Sequence, residues 1–367
     1  MKTVKFKTKN IIEALTKASK IALTKSNITL LEGAICKVAN SKAEIISSDL
    51  NVTLKQKLEY ISCSEDFSFE IPNLKELIKT IKTLQMEEIT FNSYQFDKNF
   101  QTEIILGNKK FSYNVGDANN SFHHNDTISE KIYNINIENL KEKTSKLKKF
   151  TGTKGVYANT IGINFRKNQI AAMKNFAMGC VQNDITFEDE FTINENFLYK
   201  VFKVIKGDVN FTIDNYSVKF YKEDMEVLCK VERVEFFNYN TILEQQHKQI
   251  IQVSQSEIQK LILDLKYLIS KKTIKKQPLY IQWFKDKMKV KINDEIFTIE
   301  NMPTCNERVT FNSEYLLDIL NTFKKDKGHL EIGLSVKKQP IFINNDTQKF
   351  ILCVTTPKDN LFEEEEE

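Results

Sequence analysis

Lysines spaced three and four apart recur along this chain, as in Lys75, Lys79 and Lys82 or Lys200, Lys203 and Lys206. On a helix that spacing puts all three on one side. The result is a row of mobile positive charge, and the chemistry it suits is capture of a polyanion such as a phosphate backbone. Residue types suited to bond making show no comparable order. The chain has no G-x-x-x-x-G-K-[ST], no H-E-x-x-H and no G-x-S-x-G, and its "GTKG" stretch at 152–155 lacks P-loop spacing. Its carboxylates form no pair that spacing alone can place. His123 and His124 lie in "ANNSFHHNDTISEK", a polar stretch that reads as a linker. Cys36, Cys63, Cys180, Cys229, Cys305 and Cys353 are far apart without a C-x-x-C, which fits reduced thiols in a cytoplasmic protein better than disulfides or zinc. The expectation is a non-enzyme that binds, with no cofactor and no metal.

The elements that must position those lysines are legible from apolar periodicity. Six segments carry the helical period, beginning near Ile11, Asn73, Glu138, Glu195, Ser256 and Ser313, about 60 residues apart. Each has one apolar face, such as Leu74, Leu77, Ile78, Ile81 and Leu84. The opposite faces offer Lys17, Lys20, Lys75, Lys79, Lys82, Lys141, Lys148, Lys200, Lys203, Lys206 and Lys260 as polyanion contacts. Glu13, Glu76, Glu195, Glu257 and Glu314 read as first-turn acids, where the helix dipole favours an anion. Together the six segments hold 21 lysines against 10 acids, although the whole chain carries only +4. For any one helix this also describes a solvated face; six concordant helices favour a shared anionic partner. Arginine is confined to Arg166, Arg233 and Arg308. Lysine attracts a duplex without fixing register, although a Lys/Asn/Ile-rich composition also fits an AT-rich genome.

Between the helices, "EIISSDLNVTLKQKL", "NQIAAMKNFAM", "VNFTIDNYSVKFY" and "LYIQWFKDKMKVKIN" alternate as antiparallel strands and hairpins do. The 367 residues allow two to three domains with real cores. No apolar run reaches the ~18 residues of a membrane span, and the first twenty residues scatter charge among apolar positions, unlike a signal peptide.

Order and spacing carry a resemblance over nearly the whole chain. The opening "VKFKTKNIIEALTKASKIALTKSNITLLEGAICKVANSKAEIISSDLNVTL", the mid-chain "KVERVEFFNYNTIL" and above all "FNSEYLLDILNTF" resemble the bacterial sliding clamp, the beta subunit of DNA polymerase III. The fold this implies is α+β, with three like domains of clamp fold at 1–128, 129–246 and 247–360, followed by an acidic tail at 361–367. Each domain would pack two helices on antiparallel sheets, and the chain would form half of a closed ring. The function implied is a processivity factor. A head-to-tail homodimer would encircle double-stranded DNA without sequence preference and tether a replicative polymerase, with a clamp loader as a further partner and no membrane.

The resemblance also assigns residues. Lys25 falls where clamps carry a basic DNA contact, and Tyr157 lies near a DNA-facing tyrosine pair. The partner-peptide cleft would be walled by Met173, Asn175, Phe176 and Met178, by Phe237 and Ile242, and by Val354, Thr356 and Pro357. This departs from the family's Thr-Asp-Gly-His-Arg-Leu-like stretch. Leu361 and Phe362 are similar to the pair that clamp-binding peptides insert, so the tail is a candidate occupant of the cleft. A second reading stays open, a clamp-like paralogue or mobile-element protein that binds DNA or a polymerase peptide without being the loaded replicative ring.

Overall fold

Apolar residues at three- and four-residue spacing form the six expected helices: α1 (Thr8–Ile21), α2 (Leu74–Leu84), α3 (Ile137–Leu147), α4 (Glu195–Val204), then, after a single turn α5 (Asn240–Leu243), α6 (Gln255–Ser270) and α7 (Ser313–Phe323). The structure is a computed structural model that describes residues 1–96, 99–118, 131–152, 160–233, 235–245, 247–272, 279–292, 295–326, 328–334 and 339–354. Side chains set several helix starts. Ser254 and Glu257 form a reciprocal capping box on α6, Asn312 accepts from the backbone N–H groups of Glu314 and Tyr315 on α7, and Asn194 caps α4.

Two expectations about the helices need correction. α1 begins at Thr8, so Glu13 lies beyond its first turn and pairs instead with Lys17 at 2.9 Å. α7 ends at Phe323, so Lys324 and Lys325 follow the helix and make no lysine face on it; its own charges are Glu314 and Asp318.

By packing, the described chain divides into two compact units, Met1–Lys141 with Ile193–Arg233, and Glu142–Thr192 with Val234–Glu367. In the first, a five-stranded sheet runs Ser62–Cys63, Lys2–Lys7, Glu88–Phe96, Asn99–Leu106, Lys109–Val115. Its eight-stranded sheet runs Tyr133–Asn136, Asp208–Ile213, Ser217–Lys222, Met225–Lys230, Val52–Leu58, Lys42–Ser48, Ala34–Ala39, Phe67–Ile71. The central join pairs Val227 with Leu54 and Cys229 with Val52. α1 buries Ile11, Ala14, Leu15, Ala18 and Ile21 against the two strands spanning Lys42–Ser48 and Val52–Leu58, and also touches α2 and α4.

The second unit repeats the plan. Its eight-stranded sheet runs Phe191–Ile193, Ile163–Arg166, Gln169–Lys174, Ala177–Gln182, Gln348–Leu352, Ile341–Asn344, His329–Leu334, Gln249–Ser254, and a four-stranded sheet runs Glu295–Ile299, Lys287–Ile292, Tyr280–Lys285, Cys305–Asn312. Ala177 pairs with Leu352 and Gly179 with Phe350 at the join. Phe350 packs against Phe150 at 5.1 Å and Phe323 at 5.4 Å between ring centroids. The fold class is α+β with three sheet-rich domains in chain order. Packing yields two units because the middle domain gives its strands to both eight-stranded sheets, where ladder hydrogen bonds bind them to strands distant in sequence.

Candidate functional site: lysine rows and an apolar groove

The first unit places its lysines unequally. Lys20, Lys25, Lys75, Lys79, Lys82, Lys203 and Lys206 are exposed. Lys75 reaches Thr24 Oγ1 at 3.0 Å, and Lys20 donates to the Lys203 carbonyl at 3.0 Å, so the end of α1, the turn bearing Lys25, and the lysine rows of α2 and α4 are neighbours. Lys17 is half-buried between Glu13 and Gln56 Oε1, the latter at 3.2 Å. Lys200 is committed more deeply. Its ammonium pairs with Asp49 and donates to the Ile21 carbonyl at 3.3 Å, tying the last turn of α1 to the hairpin loop. Asp49 is buried and also accepts from the backbone N–H groups of Asn51 and Val52.

On α3 and in the short turn Lys148–Phe150 that follows it, Lys143 pairs with Asp184 at 2.7 Å, Lys146 with Asp326 at 3.8 Å, and Lys149 with Asp318. Lys141 and Lys148, the two singled out by sequence, are exposed. Lys260 is exposed on α6. Tyr157 lies outside the described residues, as do His123 and His124.

The groove residues converge in the second unit. Gln169–Lys174 and Ala177–Gln182 form a hairpin whose turn is Asn175 and Phe176; Asn175 takes a left-handed φ of 49°, which asparagine tolerates. Its amide donates to the Tyr315 hydroxyl at 3.1 Å. Phe176 is 53% exposed, and its carbonyl accepts from Cys353 N at 2.8 Å, which brings half-buried Val354 beside the turn. Ala171, Met178, Cys180, Phe236, Tyr239, Phe342 and Ile351 form a buried cluster, and Met173, Phe237, Ile242 and Leu243 lie half-buried on it. Met178 is therefore floor and not wall. Thr356, Pro357, Leu361 and Phe362 lie outside the described residues.

Sequence reasoning missed Leu243, Tyr239, Phe342, His247 and Lys349. Lys349 donates to the Leu243 carbonyl at 2.7 Å and sits 4.5 Å from the Phe342 ring centroid, while the His247 ring lies tilted at 59° to Phe342 with centroids 4.6 Å apart. Burial pulls the Lys349 ammonium and the His247 imidazolium below their ordinary ranges and pushes the Cys180 thiol up to about 12. Burial likewise raises the Tyr239 phenol, whose hydroxyl is 3.5 Å from Asn164 Oδ1. The "NYNTIL" stretch offered one signal, two adjacent large apolar residues in a polar segment, and both Ile242 and Leu243 pack on the cluster. Beside the groove lies a polar cleft of about 370 Å³ lined by Gln169, Cys180, Asn240, Leu243, Gln348 and Lys349 among others. No metal-holding cluster occurs among the described residues. What the arrangement offers is a half-buried, methionine-bearing apolar surface and rows of lysine. No described helix is long and apolar enough to cross a membrane.

Comparison with known proteins bears on the fold. Residues 3–122 match the family model for the N-terminal domain of the DNA polymerase III beta subunit. No curated protein matches by sequence. Among solved structures, the DNA polymerase III subunit beta from Pseudomonas aeruginosa is 13% identical, with a TM-score of 0.80 over 96% of this chain and 99% of that one. The beta subunit from Thermotoga maritima is 19% identical, with a TM-score of 0.75 over 97% and 100%. The sliding clamp from Bartonella birtlesii, solved with griselimycin bound, is 14% identical, with a TM-score of 0.79 over the same shares.

Proposed function

We propose, from the premise of a chain that carries a DNA polymerase III beta subunit N-terminal domain at residues 3–122 and has the sliding-clamp fold along nearly its whole length, that the protein is itself a DNA sliding clamp. Two copies join head to tail, each contributing domains at 1–128, 129–246 and 247–360. The closed ring encircles duplex DNA in the cytoplasm and catalyses nothing. Lysine rows on α1, α2, α3, α4 and α6 face the phosphates. The groove over Met173, Phe237 and Ile242 takes a short apolar peptide from the replicative polymerase, and in turn from the loader that opens the ring.

The observation that carries this reading is the exposure of lysine after lysine on the solvent sides of helices whose other faces are buried in the sheets. Ring closure draws support from two sheet edges. Lys109–Val115 ends the five-stranded sheet and Glu295–Ile299 ends the four-stranded one, and among the described residues no strand pairs with either on its outer side. An uncovered strand edge is a template for pairing, and on the second edge Ile296 is 57% exposed. A second reading, a clamp-like paralogue that is not the loaded replicative ring, rests on the groove's Met173 and Phe176, which replace a polar family stretch.

Light scattering across a dilution series tests the ring. A mass near twice 42.8 kDa that persists on dilution, together with retention on closed circular DNA in high salt and release when the circle is cut, is the expected result. A monomer that washes off as salt rises is a lysine-driven binder, and that result overturns the clamp.

A further inference from the structure

Among the described residues of the six long helices, two large apolar side chains stand exposed, and both are on α6: Leu263 at 67% and Tyr267 at 56%. They lie one turn apart. α6 buries Ile258, Leu261, Ile262, Leu265 and Leu268, and at ~100° per residue Leu263 and Tyr267 fall opposite that stripe. They form a crest along the top of the helix. By the same rotation, Lys266 lies on one flank, and Lys260 and Lys271 on the other; all three are exposed, and the Lys271 ammonium sits 5.2 Å from the Tyr267 ring centroid. Half-buried Asp264 lies lower on the second flank. α2, by contrast, presents exposed lysines with no exposed large apolar side chain.

An apolar crest between two cationic flanks is the complement of an apolar-floored groove between two anionic rails. The minor groove of a duplex has that cross-section: sugar edges and base-edge acceptors below, and a phosphate row on each side. It is roughly 6 Å wide, too narrow for a helix but wide enough for side chains standing up from one. We infer that Leu263 and Tyr267 enter the minor groove of the duplex held by this protein, with Lys266 on one phosphate row and Lys260 and Lys271 on the other. This rests on the sliding-clamp reading and adds to it. The lysine rows elsewhere attract DNA at a distance, whereas α6 makes a short-range apolar contact that salt does not screen. The Tyr267 hydroxyl meets acceptors that A·T and T·A pairs present alike, so the contact does not tell those two apart, although guanine's amino group sets G·C apart from both.

Salt dependence separates the two kinds of contact. Affinity for a fluorescent duplex would be measured over a salt series for the full chain, a Leu263→Ser/Tyr267→Ser variant and a Lys260→Gln/Lys266→Gln variant, each checked for an unchanged melting temperature. Loss of the crest is expected to weaken binding roughly tenfold at every salt concentration, with the log–log slope unchanged. Loss of the two lysines is expected to reduce that slope by about 1.8. Crest-variant affinity within twofold of the parent overturns the inference; if that variant also stays on closed circular DNA, the sliding-clamp reading survives. A parent chain that neither binds the duplex nor stays on the circle overturns both. Unchanged duplex affinity with lost sedimentation on phosphatidylserine vesicles overturns the inference in favour of a membrane surface.

Discussion

Replacing Lys200 with methionine removes an ammonium and keeps its aliphatic stem. In the parent, that ammonium neutralises Asp49, whose side chain is 5% exposed, against 24% for the lysine. Breaking a fully buried pair costs ~3–5 kcal/mol. Here the lysine is partly wetted, and Asp49 keeps two backbone N–H donors, which lowers the expected cost to ~2–3 kcal/mol. The Ile21 carbonyl at the end of α1 also loses its donor. Because a multi-domain chain has no single unfolding free energy, the assay is amide hydrogen exchange at the last turn of α1 and in the Lys42–Leu58 hairpin. Protection there is expected to fall roughly 30- to 150-fold, which is ~2–3 kcal/mol of local opening. Asp49→Asn on top of Lys200→Met should restore a good part of it, giving a coupling of ~1–2 kcal/mol. The salt slope of duplex binding should not change, whereas Lys203→Gln should lower it by about 0.9. Unchanged protection in Lys200→Met, with a slope reduced as in Lys203→Gln, would refute the assignment of Lys200 as a tie and return it to the polyanion-facing row.

Four further outcomes follow from local geometry. Ser254→Ala removes half of the α6 capping box and should cost ~1 kcal/mol by thermal denaturation. Hydrogen bonds from the Ser254 hydroxyl and backbone N–H hold the Glu257 carboxyl below its usual range, so its stabilisation is present above the unfolded value of about 4.3 and fades as pH falls through the lower folded one; Glu257→Gln should flatten that acid-side loss in a pH series. Gly179→Ala should destabilise by ~1–3 kcal/mol, because its new Cβ would stand 2.5 Å from the Phe350 ring and 2.7 Å from Leu147; a melting temperature equal to the parent's would refute that close packing. Phe237→Ala, which opens the half-buried wall of the groove, should weaken a fluorescent peptide bearing a leucine–phenylalanine pair roughly tenfold by anisotropy, with duplex affinity unchanged.

Six helices were legible because each must bury one stripe, and a 3.6-residue period records that directly. The hairpins were legible for the same reason with a period of two. Lysine faces were less so, because periodicity reports direction and not engagement. Nothing local in the sequence distinguishes Lys200, paired with Asp49, from exposed Lys203 three residues on. Lys324 and Lys325 fall outside α7 because its periodic pattern ends at Phe323, whereas the charge run continues past it. Met178 was assigned to the wall by resemblance to a family stretch, which gives its place along the chain and not its depth; Phe236 and Tyr239 bury it from a loop with no period at all. The joins between Met225–Lys230 and Val52–Leu58, and between Ala177–Gln182 and Gln348–Leu352, were beyond sequence reading. Edge strands carry no mark of their partner when that partner is more than a hundred residues away.

That first join sets a timetable for synthesis. The strand Val52–Leu58 leaves the ribosome long before Met225–Lys230, its neighbour in the finished sheet. At about 5–20 residues per second, its outer edge waits on the order of ten to thirty seconds with its ladder groups unclaimed. A nascent edge of that kind invites pairing with whatever strand passes, including the same segment on the next ribosome. The sequence "VTLKQKL" meets the hazard with Lys55 and Lys57, two charges on consecutive side chains of the same face that make self-pairing repulsive and leave the true partner admissible, since its Glu226 lies opposite Lys55. Here lysine guards the unfinished chain as well as equipping the finished one.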